Sequence, residues 1–380
     1  MTGNTVTAFS GTGLKGSIDS GSGAARWQYL DLCRVLAIFG VVMIHIVPMW
    51  LYPVDSFDWN ALSFYNSLSR VCVPLFVMIS GALLLAPGRE VPLKTLYGKY
   101  LLRFVTCLLF WSAMYYLFIV YARDPSFHWR DFEPRRFIAS VLGGHPYHHW
   151  FLFMIITLYI ISPLLRHIAG SRRLTLYYLA LWGVFEIGVY SLQLVGTAFP
   201  DLGATGLFWL GQADAFANKV TPTMVMGMSG YMVLGYYLHA NPPRGAALRL
   251  LQVLGLAGLA VTLLGTYAIS LRAGQLAEAF YSARSLAVLA MSVAVFVSAR
   301  AMWPAATRKE NRLLKTVAEC SFGVYLIHDF FLVFLGGRGF TPALFSRAVS
   351  PLLVNLAYFC LCLGAVYLIR KIPLARKYIT

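Results

Sequence analysis

Residues 29–50 read YLDLCRVLAIFGVVMIHIVPMW. A mostly apolar run of roughly 20 residues is what carries an α-helix across a bilayer. Three ionisable side chains interrupt it: Asp31, Arg34 and His45. Asp31 stands one turn before Arg34, at the i,i+3 spacing of an ion pair. Arg34 and His45 fall about 20° apart around the helix and roughly 16 Å apart along its axis, so they share one face. Ionisable residues at membrane depth are costly and usually functional. A cation in the inner third of the helix and a neutral imidazole in its outer third suggest a tunnel rather than a point site. The cation can hold an anionic group, and the imidazole can take a proton from a hydroxyl. The plainer reading of the same residues has Arg34 snorkelling to the headgroups and His45 hydrogen-bonded to a neighbouring helix.

The rest of the chain repeats this kind of run. Of its 380 residues, 59% are hydrophobic and 12% charged, about half the charge of a soluble domain. That excludes an ordinary soluble enzyme, a disordered chain and a fibrous repeat. Apolar runs at 29–50, 63–86, 98–121, 148–166, 174–195, 221–239, 247–271, 281–303, 316–337 and 349–370 predict an all-α polytopic membrane protein of about ten transmembrane helices. The net charge of +16 would suggest nucleic acid in a soluble protein. Here, twenty of the 31 Lys and Arg fall in segments on the N-terminal side of the membrane and eight on the other. By the positive-inside rule both termini are cytoplasmic, and no nucleic-acid partner is expected. Residues 1–26 are Gly/Ser/Thr-rich and read as a disordered cytoplasmic tail, not a signal peptide. Residues 27–372 form the membrane domain, and 373–380 a short basic cytoplasmic tail. The loop 122–147 is the exception to the charge rule, with four Arg that Asp124, Asp131 and Glu133 could pair.

Further polar residues stand in or beside the spans. Arg70 opens the second span as an anchor or a contact, and Pro74 kinks that helix ahead of the small pair Ser80 and Gly81, which favours close packing. His148, His149 and Trp150 start the fourth span, as an interfacial belt or as part of a site. Glu186 is a lone acid in the fifth, read as protonated and hydrogen-bonded or as a proton site. Ser321, Tyr325 and His328 share a helix face in the ninth, as packing or as chemistry. The six cysteines show neither a CxxC pair nor a zinc spacing. They read as small buried hydrophobes, and no metal and no bound cofactor are expected.

These motifs, in this order, resemble the membrane-bound acyltransferase family 3, the bacterial integral-membrane O-acyltransferases of surface polysaccharides. The Arg-x10-His spacing lies at Arg34 and His45. SRVCVPLFVMISGALLL (69–85) resembles the second-helix signature. YHHWFLFMIITLYIISPLLR (147–166) resembles the family's His-Leu-Trp-Phe-Leu stretch, with His148 and Trp150 matching and His149 in place of Leu. SFGVYLIH (321–328) resembles the late Ser-Phe-Gly-Ile-Tyr-Leu-Ile-His segment. The similarity runs over about 27–370, and its flavour is closest to the subgroup that acetylates enterobacterial common antigen. One departure lies in GKYLLRFV (98–105). Arg103 matches the family's Arg-x-x-Arg cluster, Tyr100 takes the place of the other Arg, and Lys99 stands beside it.

The resemblance implies an acyltransferase of the bacterial inner membrane. Its donor would be a cytosolic acyl-CoA, most simply acetyl-CoA as co-substrate. Its acceptor would be a sugar hydroxyl of a surface polysaccharide or its lipid-linked precursor. Arg34, Lys99, Arg103 and Arg70 would bind the donor, and Asp31 would orient Arg34. His45 would be the general base, in direct transfer or through an acetyl-His intermediate. His148, Trp150, Ser321, Tyr325, His328 and Glu186 would line the acceptor path. The rival from another class is a transporter or flippase of lipid-linked sugars, which shares the spans but has no stated need for a base.

Overall fold

A computed structural model of the chain describes residues 26–86, 91–123, 133–142, 147–199, 227–307 and 311–380, with positions 206, 211 and 212. The tail 1–25, most of the loop 122–147 and the first part of the sixth predicted span lie outside the described residues. Those described are mostly helical, with no strand among them and one isolated backbone bridge, between Arg26 and Thr307. Nine helical spans among them are long and apolar enough to cross a membrane, so the chain is an all-α polytopic membrane protein.

Proline decides how the first two spans end and break. Helix α1 (Gln28–Ile46) stops before Pro48, which forces extended backbone on Val47 (φ −94°, ψ 94°). His45 therefore sits in the last turn. The second predicted span is two helices, α2 (Phe57–Ser69) and α3 (Cys72–Leu84). Pro74 has no N–H to offer the Arg70 carbonyl four residues back, so the ladder is interrupted there. Arg70 caps α2 at the break instead of lying inside a continuous helix.

The third span enters through the π turn Leu96–Leu101 and continues as α4 (Leu102–Arg123). After α5 (Pro134–Leu142) come α6 (Trp150–Ala169), α7 (Arg172–Trp182), the π turn Gly183–Gly188 and α8 (Val189–Ala198). Of the predicted sixth span, the described part is α9 (Ser229–Ala240), 12 residues long. At 1.5 Å per residue it covers about 18 Å, short of a bilayer. Helix α10 (Gly245–Ala273) pairs with α11 (Leu286–Met302), and α12 (Arg312–Gly336) packs between α1 and α13 (Ser350–Ile369).

The close approach of α3 and α9 depends on two glycines. A Cβ on Gly81 would lie 1.7 Å from the Met232 carbonyl oxygen, and one on Gly235 would lie 2.2 Å from that of Met78. Packing of small residues, the reading favoured for Gly81, is what the structure shows. Five cysteines are buried and Cys360 on α13 is exposed; all six are free.

The end expected as a short basic tail folds onto the bundle. Its residues form α14 (Pro373–Tyr378) and then lie along α4. Thr106 Oγ1 donates to the Tyr378 carbonyl at 3.2 Å and Trp111 Nε1 to that of Ile379 at 2.9 Å. Arg103 donates to the Thr380 carbonyl.

Candidate active site

The bundle has two polar ends. At the Arg26 end, Asp31 is buried and accepts from Arg26 through both oxygens, at 2.5 and 2.8 Å. The i,i+3 pairing forms as the spacing predicts, with Arg34 Nη1 at 3.1 Å from Asp31. Arg26 also reaches Glu319 at 3.5 Å, and Glu319 holds Arg370 at 3.3 Å. One network thus ties the start of α1 to α12 and α13.

Toward the other end, marked by Trp50, a cavity of about 1090 Å³ opens. The end of α1 contributes His45 to its wall, the α2–α3 break Arg70, the segment before α6 His148, the first residue of α6 Trp150, and α12 Tyr325. His328 is fully buried and lies behind this wall. Its ring centroid is 4.9 Å from that of His45 and 5.0 Å from that of His148, and His45 and His148 are 6.3 Å apart. His149 adds a fourth ring 4.7 Å from His148. Four imidazoles from three segments meet beside one cavity.

Local hydrogen bonds fix some of these rings. His328 Nδ1 lies 2.6 Å from the Tyr325 carbonyl. A carbonyl only accepts, so Nδ1 carries the hydrogen and Nε2 keeps the lone pair. That Nε2 is buried and has no hydrogen-bond partner among the described residues. The Tyr325 hydroxyl donates to the His148 backbone carbonyl at 2.7 Å, fastening the segment before α6 to α12. Asp329 Oδ2 lies 3.8 Å from His148 Nδ1. On the cavity floor, the Arg70 guanidinium stacks 4.0 Å over the Tyr281 ring and pairs with Glu278 at 3.4 Å.

Of the residues singled out in the sequence, the structure brings together His45, Arg70, His148, Trp150, Tyr325 and His328. Arg34 and Asp31 stand at the far end of α1, outside the cavity wall. Arg70 is at the Trp50 end, remote from the basic end where the donor contacts were expected. Lys99 is exposed on its π turn, over the Tyr100 ring. Arg103 is engaged by the last residues of the chain. Ser321 donates to the Ala318 carbonyl of its own helix at 2.8 Å. Glu186 pairs with Arg284 at 3.0 Å instead of standing alone, because the π turn at Gly183–Gly188 and the start of α11 are neighbours. Neither Ser321 nor Glu186 lines the cavity.

Three participants were not legible beforehand: Asp329, Tyr115 and the Ser112 that meets His149 Nδ1 at 3.1 Å. Asp329 directly follows His328, a signal that could have found it. Ser112 and Tyr115 are one turn apart on α4, and nothing local marks them.

The arrangement places the imidazoles of His45 and His148 in the cavity wall, with Asp329 3.8 Å behind His148, which suits proton abstraction from a hydroxyl. The family model described as "Acyltransferase domain" matches residues 27–371. No curated protein and no solved structure matches the chain.

Proposed function

We propose, from the premise that this chain belongs to membrane acyltransferase family 3, whose domain spans residues 27–371, that it moves an acyl group from acyl-CoA to a sugar hydroxyl. The acceptor is a surface polysaccharide or its lipid-linked precursor, the membrane is the bacterial inner membrane, and acetyl is the simplest acyl group. The observation that carries this reading is the position of His45, in the wall of a 1090 Å³ cavity with two further imidazoles within 6.3 Å of its ring.

In this reading the acceptor hydroxyl enters the cavity from the Trp50 end. The exposed rings of Trp50 and Trp150 at its mouth present flat apolar faces of the kind a sugar ring packs on. His45 takes the hydroxyl proton as the oxygen attacks the thioester carbonyl. The donor approaches from the Arg26 end, where Arg34, Lys99 and Arg103 supply positive charge for its phosphates. Asp31 holds Arg34 in place. Arg70, beside the cavity, is assigned to the acceptor side. The closest functional flavour remains O-acetylation of the enterobacterial-common-antigen type.

The test is turnover of acetyl-CoA by the purified protein in nanodiscs with a glycan-lipid extract, read as ester mass on the glycan. Activity lost in His45→Ala, with normal expression and melting temperature, supports the reading. Wild-type activity in that variant removes it.

A further inference from the structure

We propose that Tyr115 is a positioning residue of the transfer site. Its hydroxyl sets the α12 turn that carries His328 and Asp329, and its ring walls in His148 and His149. This rests on the reading that the imidazole cluster moves the acceptor's proton.

Tyr115 is buried on α4 and absent from the cavity wall, so it touches no substrate there. Its hydroxyl donates to the Leu326 carbonyl at 2.9 Å and accepts from the Phe330 N–H at 3.1 Å. Those two groups are the i and i+4 partners that a regular α-helix joins directly. The Tyr115 hydroxyl therefore bonds both groups of one helical turn while α12 runs on as a continuous helix. The turn between them holds Ile327, His328 and Asp329. The spacing of the His328 ring and the Asp329 carboxylate from their neighbours is therefore set, in part, by one hydroxyl from another helix.

The same side chain meets the other imidazoles. Its ring stands edge-on to His148 at 5.3 Å and to His149 at 5.7 Å. One turn earlier on the same face, Ser112 Oγ lies 3.1 Å from His149 Nδ1. Thus α4 fixes three rings that arise from two other segments. A buried anchor would need only the ring. A phenyl group fills the same space, whereas the two bonds to α12 need the oxygen.

The step served is a direct exchange. The acceptor O–H bond breaks and its proton goes to an imidazole. The acceptor oxygen forms the ester bond as the thioester C–S bond breaks, and the imidazole returns the proton to the leaving thiolate. Tyr115 gains and loses nothing. It determines how well the rings are aligned when the proton moves, and small misplacements there are costly.

The experiment uses the full chain in nanodiscs, with acetyl-CoA as donor probe and a glycan-lipid membrane extract as acceptor. Tyr115→Phe should fold normally, because the phenyl group fills the same space and Leu326 and Phe330 are already i and i+4 partners of a continuous helix. The expected result is a kcat lowered at least about tenfold, an unchanged KM for acetyl-CoA and an altered pH profile of kcat. The titratable and charged groups facing this cluster are His45, Arg70, His148, His149, Tyr325, His328, Asp329, Tyr115 itself and Cys362 from α13. A second readout needs no turnover: diethyl pyrocarbonate should modify His148 at a changed rate, mapped by mass spectrometry. Ser112→Ala is the second variant, expected to change the His149 rate. His45→Gln runs in parallel. An inactive His45→Gln beside a Tyr115→Phe with wild-type kcat, pH profile and His148 reactivity overturns this proposal and leaves the underlying reading standing. An active His45→Gln overturns both.

Discussion

The two polar ends of α1 use the same kinds of side chain in opposite ways. At the Arg26 end the charges around the start of α1 are paired: Asp31 takes Arg26 and Arg34, and Glu319 takes Arg26 and Arg370. At the Trp50 end the rings converge on a cavity, and two of them, His149 and His328, keep a buried Nε2 with no hydrogen-bond partner among the described residues. A charge at membrane depth is therefore not by itself a mark of chemistry. Mutual satisfaction builds a brace between helices, whereas the cavity wall at the Trp50 end presents His45 and His148 where a substrate can meet them. Glu186 teaches the same from a third place: the sequence leaves it as a hydrogen-bonded acid or a proton site, and in the structure it is an ion-pair partner of Arg284.

The contrast can be broken by substitution. The largest effect is expected from His45→Ala, which should lower acyl transfer by about 10³-fold or more, within the range removed with a general base, while the melting temperature holds. Asp31→Asn should act mainly on stability, with a raised KM for acetyl-CoA through the loosened Arg34 as the smaller effect. Leaving Arg26 and Arg34 without their shared buried carboxylate should cost on the order of 3 kcal/mol, read as a lower Tm in detergent. A variant that melts like wild type but is inactive would move Asp31 to the chemical side of the comparison. Arg34→Ala should raise the KM for acetyl-CoA about tenfold, the size of a charged hydrogen bond lost. An effect on kcat alone would argue against donor contact. Glu278→Gln should change stability by less than about 1 kcal/mol, since Glu278 is 63% exposed. A larger loss would mean that Arg70 relies on this pair and not on the Tyr281 ring.

Much of the fold was legible because hydropathy and proline act locally. The ends of α1 and the identity of its polar residues follow from residues 29–50, and Pro74 foretold a disturbed helix beside Arg70. What could not be read was that the disturbance is a complete break that turns Arg70 toward the cavity. The sequence also allowed His45, His148 and His328 to lie near one membrane face, since their helices run there. It could not say that their rings come within 6.3 Å, because this depends on how α1, α6 and α12 cross. Tyr115 and Ser112 were invisible for the same reason: their partners lie 37 to 215 positions away in the chain. For the last residues the charge was legible, since Arg376 and Lys377 are exposed, but the bonds their neighbours' carbonyls make to α4 were not.

The cysteine pattern has a practical use. Five thiols are sealed in the interior and Cys360 alone looks outward, on α13, which packs against the helix bearing His328 and Asp329. Cys360 stands midway along a membrane span, so its open side faces lipid, and a lipid-soluble methanethiosulfonate spin label applied in detergent is the reagent expected to reach this one native position first. From there it would report whether α12 and its neighbour shift when substrate arrives, which connects the chemistry of the rings to a spectroscopic signal.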